Sequence, residues 1–223
     1  MAIYSPPPGS WVQELARRAM HLWWLKSAGT ALFMVLFFYS YFEILRYPVY
    51  PVTEMPTTRI DDWVSFSPSG FYVYVSLWLY TLLVPALQPT AVRFFAYGCS
   101  IGALCATGLV CFLFFPTAVP FGSMPWFNDP TLATLRRLDL AGNACPSLHV
   151  ATAIFTAACL HRILQATGSP RWLQLLSWVW CLLVVYSTMA IKQHVFWDVV
   201  AGSGLALIFV WFHPHFEKTL VES

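Results

Sequence analysis

The chain has 223 residues, of which 58% are hydrophobic and only 10% charged, and it carries a net charge of +2. Twelve basic and ten acidic side chains cannot coat a compact body of this size, because a soluble domain carries roughly 25% charged residues. Lipid must therefore form part of its solvent, and a disordered chain or a nucleic-acid binder resting on a basic field is excluded.

Residues 1–22 predict an interfacial segment. The stretch from Trp11 to Trp24 mixes Trp, Leu and Met with Glu14, Arg17, Arg18 and His21, which suits an amphipathic helix leading into a first span. The apolar run that follows is too long for a cleavable signal peptide and lacks a small-residue cleavage site. A span needs about 20 apolar residues. The candidate runs are Trp23–Leu45, Gly70–Leu87, Ala91–Phe115, Leu148–Ala166, Trp172–Ile191 and Val195–Phe212. They are continuous rather than alternating, so helices are expected and a barrel is not. The expectation is an all-α, polytopic membrane protein: one integral-membrane domain over 1–223, built as a six-transmembrane-helix bundle.

The connections are unequal. Arg46–Ser69 is polar and Pro-rich, Gln88–Thr90 is a tight turn, and residues 116–147 form a long loop rich in Pro, Gly and Asp. With the N-terminus inside, the inner side carries Arg17, Arg18, Lys26, Arg93, Arg162, Arg171 and Lys218 against Glu14, Glu217 and Glu222. The outer side is then more acidic than basic. The positive-inside preference thus places both termini in the cytoplasm and the 116–147 loop on the exoplasmic face. Five of the six cysteines lie in apolar runs and read as buried thiols, and Cys145 alone lies in a polar loop.

Two short segments break the apolar logic. In Asp139-Leu-Ala-Gly-Asn-Ala-Cys-Pro-Ser-Leu-His149, Pro146 suits a first helical turn, with Ser147 and His149 following in it. Free N–H groups and the helix dipole make such a start favourable for an anion. In Ser187-Thr-Met-Ala-Ile-Lys192-Gln-His194-Val-Phe-Trp-Asp198, His194 and Asp198 are four apart and share a helix face. A carboxylate on one ring nitrogen fixes the tautomer and leaves the other nitrogen to attack. Lys192 adds a positive charge nearby. Asp198 falls inside an apolar run, where an ionised group is costly unless paired, and His194 resolves that cost. His21, His161, His213 and His215 read as interfacial or structural.

Cys145-Pro-Ser-Leu-His149 and Lys192-Gln-His194-Val-Phe-Trp-Asp198 resemble two signature motifs of the type 2 phosphatidate phosphatase superfamily, P-S-G-H and S-R-x5-H-x3-D. Ser147 and His149 match the first of these, and Ser187, His194 and Asp198 the second. Thr188 stands where the family usually has a phosphate-binding Arg, and Leu148 replaces Gly. The family's K-x6-R-P motif has no counterpart, and Phe115-Pro-Thr-Ala-Val-Pro120 occupies its place. The P-S-L-H form is similar to that of inositol phosphorylceramide synthases.

The resemblance implies a metal-independent lipid phosphatase or phosphotransferase with an exoplasmic active site and no cofactor. His194 would attack phosphorus to form a phosphohistidine, Asp198 would orient it, and His149 would move the protons. Ser147, Lys192, Arg136 and Arg137 would bind the phosphate. The partners implied are a lipid phosphate substrate and membrane lipids, with no nucleic acid and no metal. The placement implied is a bacterial inner membrane with the site facing the periplasm. An alcohol in place of water would make the protein a phospho-headgroup transferase. A different class is a bis-histidine haem protein with His149 and His194 as axial ligands, which leaves Asp198, Lys192 and Ser147 without a role. A transporter lined by the same polar residues lacks the internal repeat common in such folds.

Overall fold

A computed structural model describes residues 10–120 and 141–222. Helix α1 (Trp11–Met20) opens on a capping box in which the Ser10 side chain accepts from the Gln13 N–H and Gln13 reaches back. Glu14 is buried under Arg17 and Arg18 at 2.8 and 2.7 Å. Chiefly the Arg17 hydrogen bond holds its carboxyl down at about 2, against the opposing effect of burial. Leu22, in the left-handed region at φ 52°, breaks the chain between α1 and α2 (Trp23–Arg46). The interfacial segment and first span expected from sequence therefore appear as two helices meeting at that residue.

The loop after α2 holds strand β1 (Thr53–Glu54) and the short helix α3 (Arg59–Trp63). Then come α4 (Gly70–Ala86), α5 (Ala91–Phe114) and strand β2 (Thr117–Ala118). The last three helices are α6 (Leu148–Ala166), α7 (Arg171–Ala190) and α8 (Phe196–Glu222). Helix α8 runs well past the expected end at Phe212. Pro214 lies inside it and costs one backbone bond there without ending the helix.

Helix α6 is the axis of the bundle. It packs on α4, α5, α7 and α8, and Val150, Ala151, Ala153, Phe155 and Ala157 along it are wholly buried. Its alanines let the neighbours approach closely. Among the described residues, α2, α5, α7 and α8 are long and apolar enough to cross a membrane. Helix α4 is apolar but has 17 residues, and α6 has 19 and is enclosed by the others. The protein is thus a helical, integral-membrane bundle.

Short-range pairings define two ends. At one end β1 and β2 run parallel, and Thr117 also bridges to Asn143. The Ala144 N–H donates to the Thr117 carbonyl at 3.0 Å and the Ser67 N–H to the Ala190 carbonyl at 2.9 Å. These bonds stitch the loops at 53–55, 116–118 and 143–145 beneath the start of α6. At the other end Lys26 Nζ donates to the carbonyls of Arg18 and Ala86 at 2.6 and 2.8 Å. There Glu217 of α8 meets Arg93 and Arg162 at 3.2 and 3.6 Å.

Candidate active site

The first motif starts α6. Ser147 is the N-cap, with its Oγ accepting from the Val150 N–H at 3.3 Å. Its extended ψ of 108° starts the helix at Leu148, so Pro146 precedes the cap instead of occupying the first turn as expected. Ser147 is fully buried. Its own N–H donates to the carbonyl of Asp198 at 3.1 Å, which ties the first motif to the second. Gly202, one turn further along α8, lies directly against the Ser147 carbonyl, where a Cβ would collide with that oxygen.

His149 follows in the first turn of α6 and turns towards α4. Its ring stacks on Tyr74 at 4.0 Å and 15°, and Trp78 meets it edge-on at 5.7 Å. The Tyr74 hydroxyl lies 3.3 Å from Nδ1. Nε2 is buried with no hydrogen-bond partner among the described residues. Tyr74 and Trp78 had no sequence signal beyond their aromatic character, since α4 shares no motif with α6.

The second motif is a tight turn between α7 and α8. Lys192 takes the left-handed conformation at φ 58°. The Thr188 carbonyl accepts from the N–H groups of Gln193 and His194 at 3.0 and 3.1 Å. At the position where Arg was expected, Thr188 is buried and contributes a backbone acceptor that holds the turn. Asp198 is fully buried, and its Oδ2 accepts from the Val195 N–H at 2.9 Å. His194 Nδ1 lies 3.4 Å from that same oxygen. The contact is longer than an ordinary hydrogen bond, and Nδ1 and the other carboxylate oxygen, Oδ1, are buried without a hydrogen-bond partner among the described residues. The rings of His149 and His194 are 6.5 Å apart, centre to centre, at 48°. One tetrahedral group bound between them touches both.

Lys192 reaches from the turn to α3. Its Nζ donates to the carbonyls of Asp61 and Val64 at 2.7 and 2.6 Å, capping the C-terminal end of α3. Two of its three donors are used there, and the side chain forms a wall of a polar cavity beside His194. Asp61 is a partner that sequence reading missed. Its Oδ1 accepts from the Phe196 N–H at 2.7 Å, and its Oδ2 from the Thr58 N–H and hydroxyl at 2.7 and 2.8 Å. The Thr58-x-x-Asp61 capping box was the available signal. Arg136 and Arg137 lie outside the described residues.

Two cavities meet at His194. One, of about 650 Å³, runs between α2, α4 and α5 and is walled almost entirely by apolar and aromatic side chains, ending on Asn143, His149 and His194. The other, of about 320 Å³, is smaller and more polar, with Thr57, Asp61, Asp62, Ser65 and Lys192 in its wall beside Val64, Phe66, Val119 and Val195. Cys145 lies alongside, its thiol pushed up to about 11 by burial and then by the Asp198 charge. Among the described residues no three His, Cys, Asp or Glu side chains gather as a metal would require.

The model of one protein family, described as the PAP2 superfamily, matches residues 95–222. No curated protein matches the chain, and no solved structure does. The matched stretch contains both histidines and Asp198. It excludes α1–α4, and with them Tyr74, Trp78 and Asp61.

Proposed function

The chain belongs to the PAP2 superfamily and is an enzyme of phosphatase or phosphotransferase type, and from that premise we propose that it cleaves a lipid phosphate or diphosphate monoester through a phosphohistidine. The observation that carries this reading is the pair of imidazoles 6.5 Å apart where an apolar cavity meets a polar one. An amphipathic substrate fits such a junction, with its phosphate between the rings and its hydrocarbon in the apolar arm.

In the first step His194 Nε2 bonds to phosphorus and the P–O bond to the lipid breaks. His149 gives its proton to the departing alkoxide. Asp198, beside Nδ1, stabilises the positive charge that develops on the His194 ring. In the second step His149 takes a proton from water, the hydroxide oxygen bonds to phosphorus, and the N–P bond breaks to release phosphate. Ser147, Lys192, Arg136 and Arg137 are the proposed phosphate contacts, and the start of α6 adds its dipole. Phosphoryl transfer asks mainly for such positioning and charge stabilisation, so no metal is invoked.

Six spans, with both termini inside and the site facing the periplasm or exoplasm, complete the reading. The basic side chains Arg17, Arg18, Lys26, Arg93 and Arg162 gather at the end opposite the histidines, which favours that end as cytoplasmic. A second reading is transfer to an alcohol, as in the inositol phosphorylceramide synthase-like subgroup. The polar cavity favours it, since about 320 Å³ exceeds what one attacking water needs. A phosphate-release screen over lipid phosphates, run with and without alcohol acceptors, separates the two. Purified His194→Ala and His149→Ala should lose nearly all turnover, and wild-type-like turnover in either overturns the assignment.

A further inference from the structure

Resting on the lipid-phosphate reading above, we infer that the cavity between α2, α4 and α5 holds the hydrocarbon tail of the substrate and that Gly98 sets how long a tail it accepts. The cavity starts on His149 and His194 and continues between the three helices past Gly98 to Phe94 and Phe95. Phe112 and Gly98 both line it on α5, so its apolar length is roughly 20 Å at about 1.5 Å per helical residue. A molecule whose phosphate lies between the two rings and whose tail extends roughly 20 Å therefore reaches the level of Gly98. The continuity of one apolar space with the reacting groups favours the substrate's own tail over an unrelated lipid, whose headgroup would have to occupy the gap between the histidines.

The packing around Gly98 marks it as the position where length is read. On either side of it, α2 and α5 lean together. A Cβ at Gly29 would strike the Phe94 ring, and one at Gly102 would touch Phe33. At Gly98 a Cβ meets nothing within 4 Å. A side chain grown there enters open space in the cavity and narrows the path to Phe94 and Phe95. Helices α2 and α4, which supply most of the other walls, lie outside residues 95–222, whereas Gly98 itself lies inside that stretch.

The test compares phosphate release from octyl phosphate and hexadecyl phosphate in detergent micelles. The variants are Gly98→Phe and, as a control, Gly204→Phe. Gly204 also has open space around it but lies on α8 away from this cavity. Gly98→Phe should lower kcat/KM for the hexadecyl ester about tenfold and leave the octyl ester within about twofold. Gly204→Phe should leave the ratio of the two unchanged. A Gly98→Phe enzyme that loses both esters equally, or neither, overturns the tail assignment and leaves the phosphatase reading standing. Failure of the wild-type protein to release phosphate from either ester overturns that reading and the tail assignment with it.

Discussion

The backbone N–H of Ser147 donates to the carbonyl of Asp198 at 3.1 Å. One hydrogen bond thus joins the residue that caps α6 to the residue that stands behind His194. The two halves of the site, 45 residues apart at their histidines in sequence, are registered to each other through main chain. That bond sets the spacing of the two backbone segments from which the rings project.

That registration depends on Gly202, whose missing Cβ lets α8 lie against the Ser147 carbonyl. Gly202→Ala should push the helices apart, costing roughly 1–3 kcal/mol of stability. The same shift should lower kcat much more than it raises KM. Thermal unfolding in detergent together with steady-state kinetics checks both, and unchanged kcat would show that the ring spacing does not depend on this contact.

Tyr74 holds His149 in plane and offers its hydroxyl to Nδ1. Tyr74→Phe keeps the stacking and removes the hydroxyl. The loss of one hydrogen bond worth about 1 kcal/mol predicts a fall in kcat of roughly five- to tenfold. The acid limb of the pH–rate profile should move with it, because the proton-carrying imidazole has lost a partner. A purely packing role for Tyr74 would leave that limb in place.

The apolar helices and the two segments that carry the histidines were legible in the sequence, but the contacts around them were not. Unbroken apolar runs identify helices, and His194 and Asp198 are one turn apart, so their proximity is local. His149 meets Tyr74 across 75 residues and Lys192 meets Asp61 across 131, and no short motif encodes either contact. Lys192 suggested a phosphate ligand because a charge near a site attracts that role. Two of its three donors satisfy the carbonyls of Asp61 and Val64, a tie that no local motif encodes. Helix α8 continues past the expected end at Phe212 because a single missing N–H, at Pro214, is tolerated on a long helix.

The tie between Lys192 and α3 has its own consequence. Lys192→Met should leave the Asp61 and Val64 carbonyls without their partner and destabilise the protein by roughly 1–3 kcal/mol. Hydrogen exchange should accelerate over residues 58–64 and little elsewhere. If exchange there is unchanged while KM for a lipid phosphate rises, the ammonium serves the phosphate and not the strap.

Cys145 gives a pH readout outside the spans. Its folded thiol ionises at about 11 instead of the ordinary 9.0, because burial and then the Asp198 charge disfavour the thiolate. The folded state therefore holds the proton more tightly than the unfolded chain. This contribution to stability is fully present below pH 9 and is lost as pH rises through about 11. Iodoacetamide labelling, followed by peptide mass spectrometry, should find Cys145 unreactive at pH 9 in the folded protein and reactive in denaturant. Equal labelling in both states would contradict the half-buried, carboxylate-facing thiol.

The most direct test of the central chemistry is to catch phosphorus on His194. Wild-type protein is mixed with a phosphorus-labelled lipid phosphate, quenched in alkali within a turnover and digested. The label should appear on the peptide carrying His194 and be absent from His194→Ala. Rapid turnover by the wild-type protein with no label on that peptide, or turnover retained in His194→Ala, would contradict the phosphohistidine.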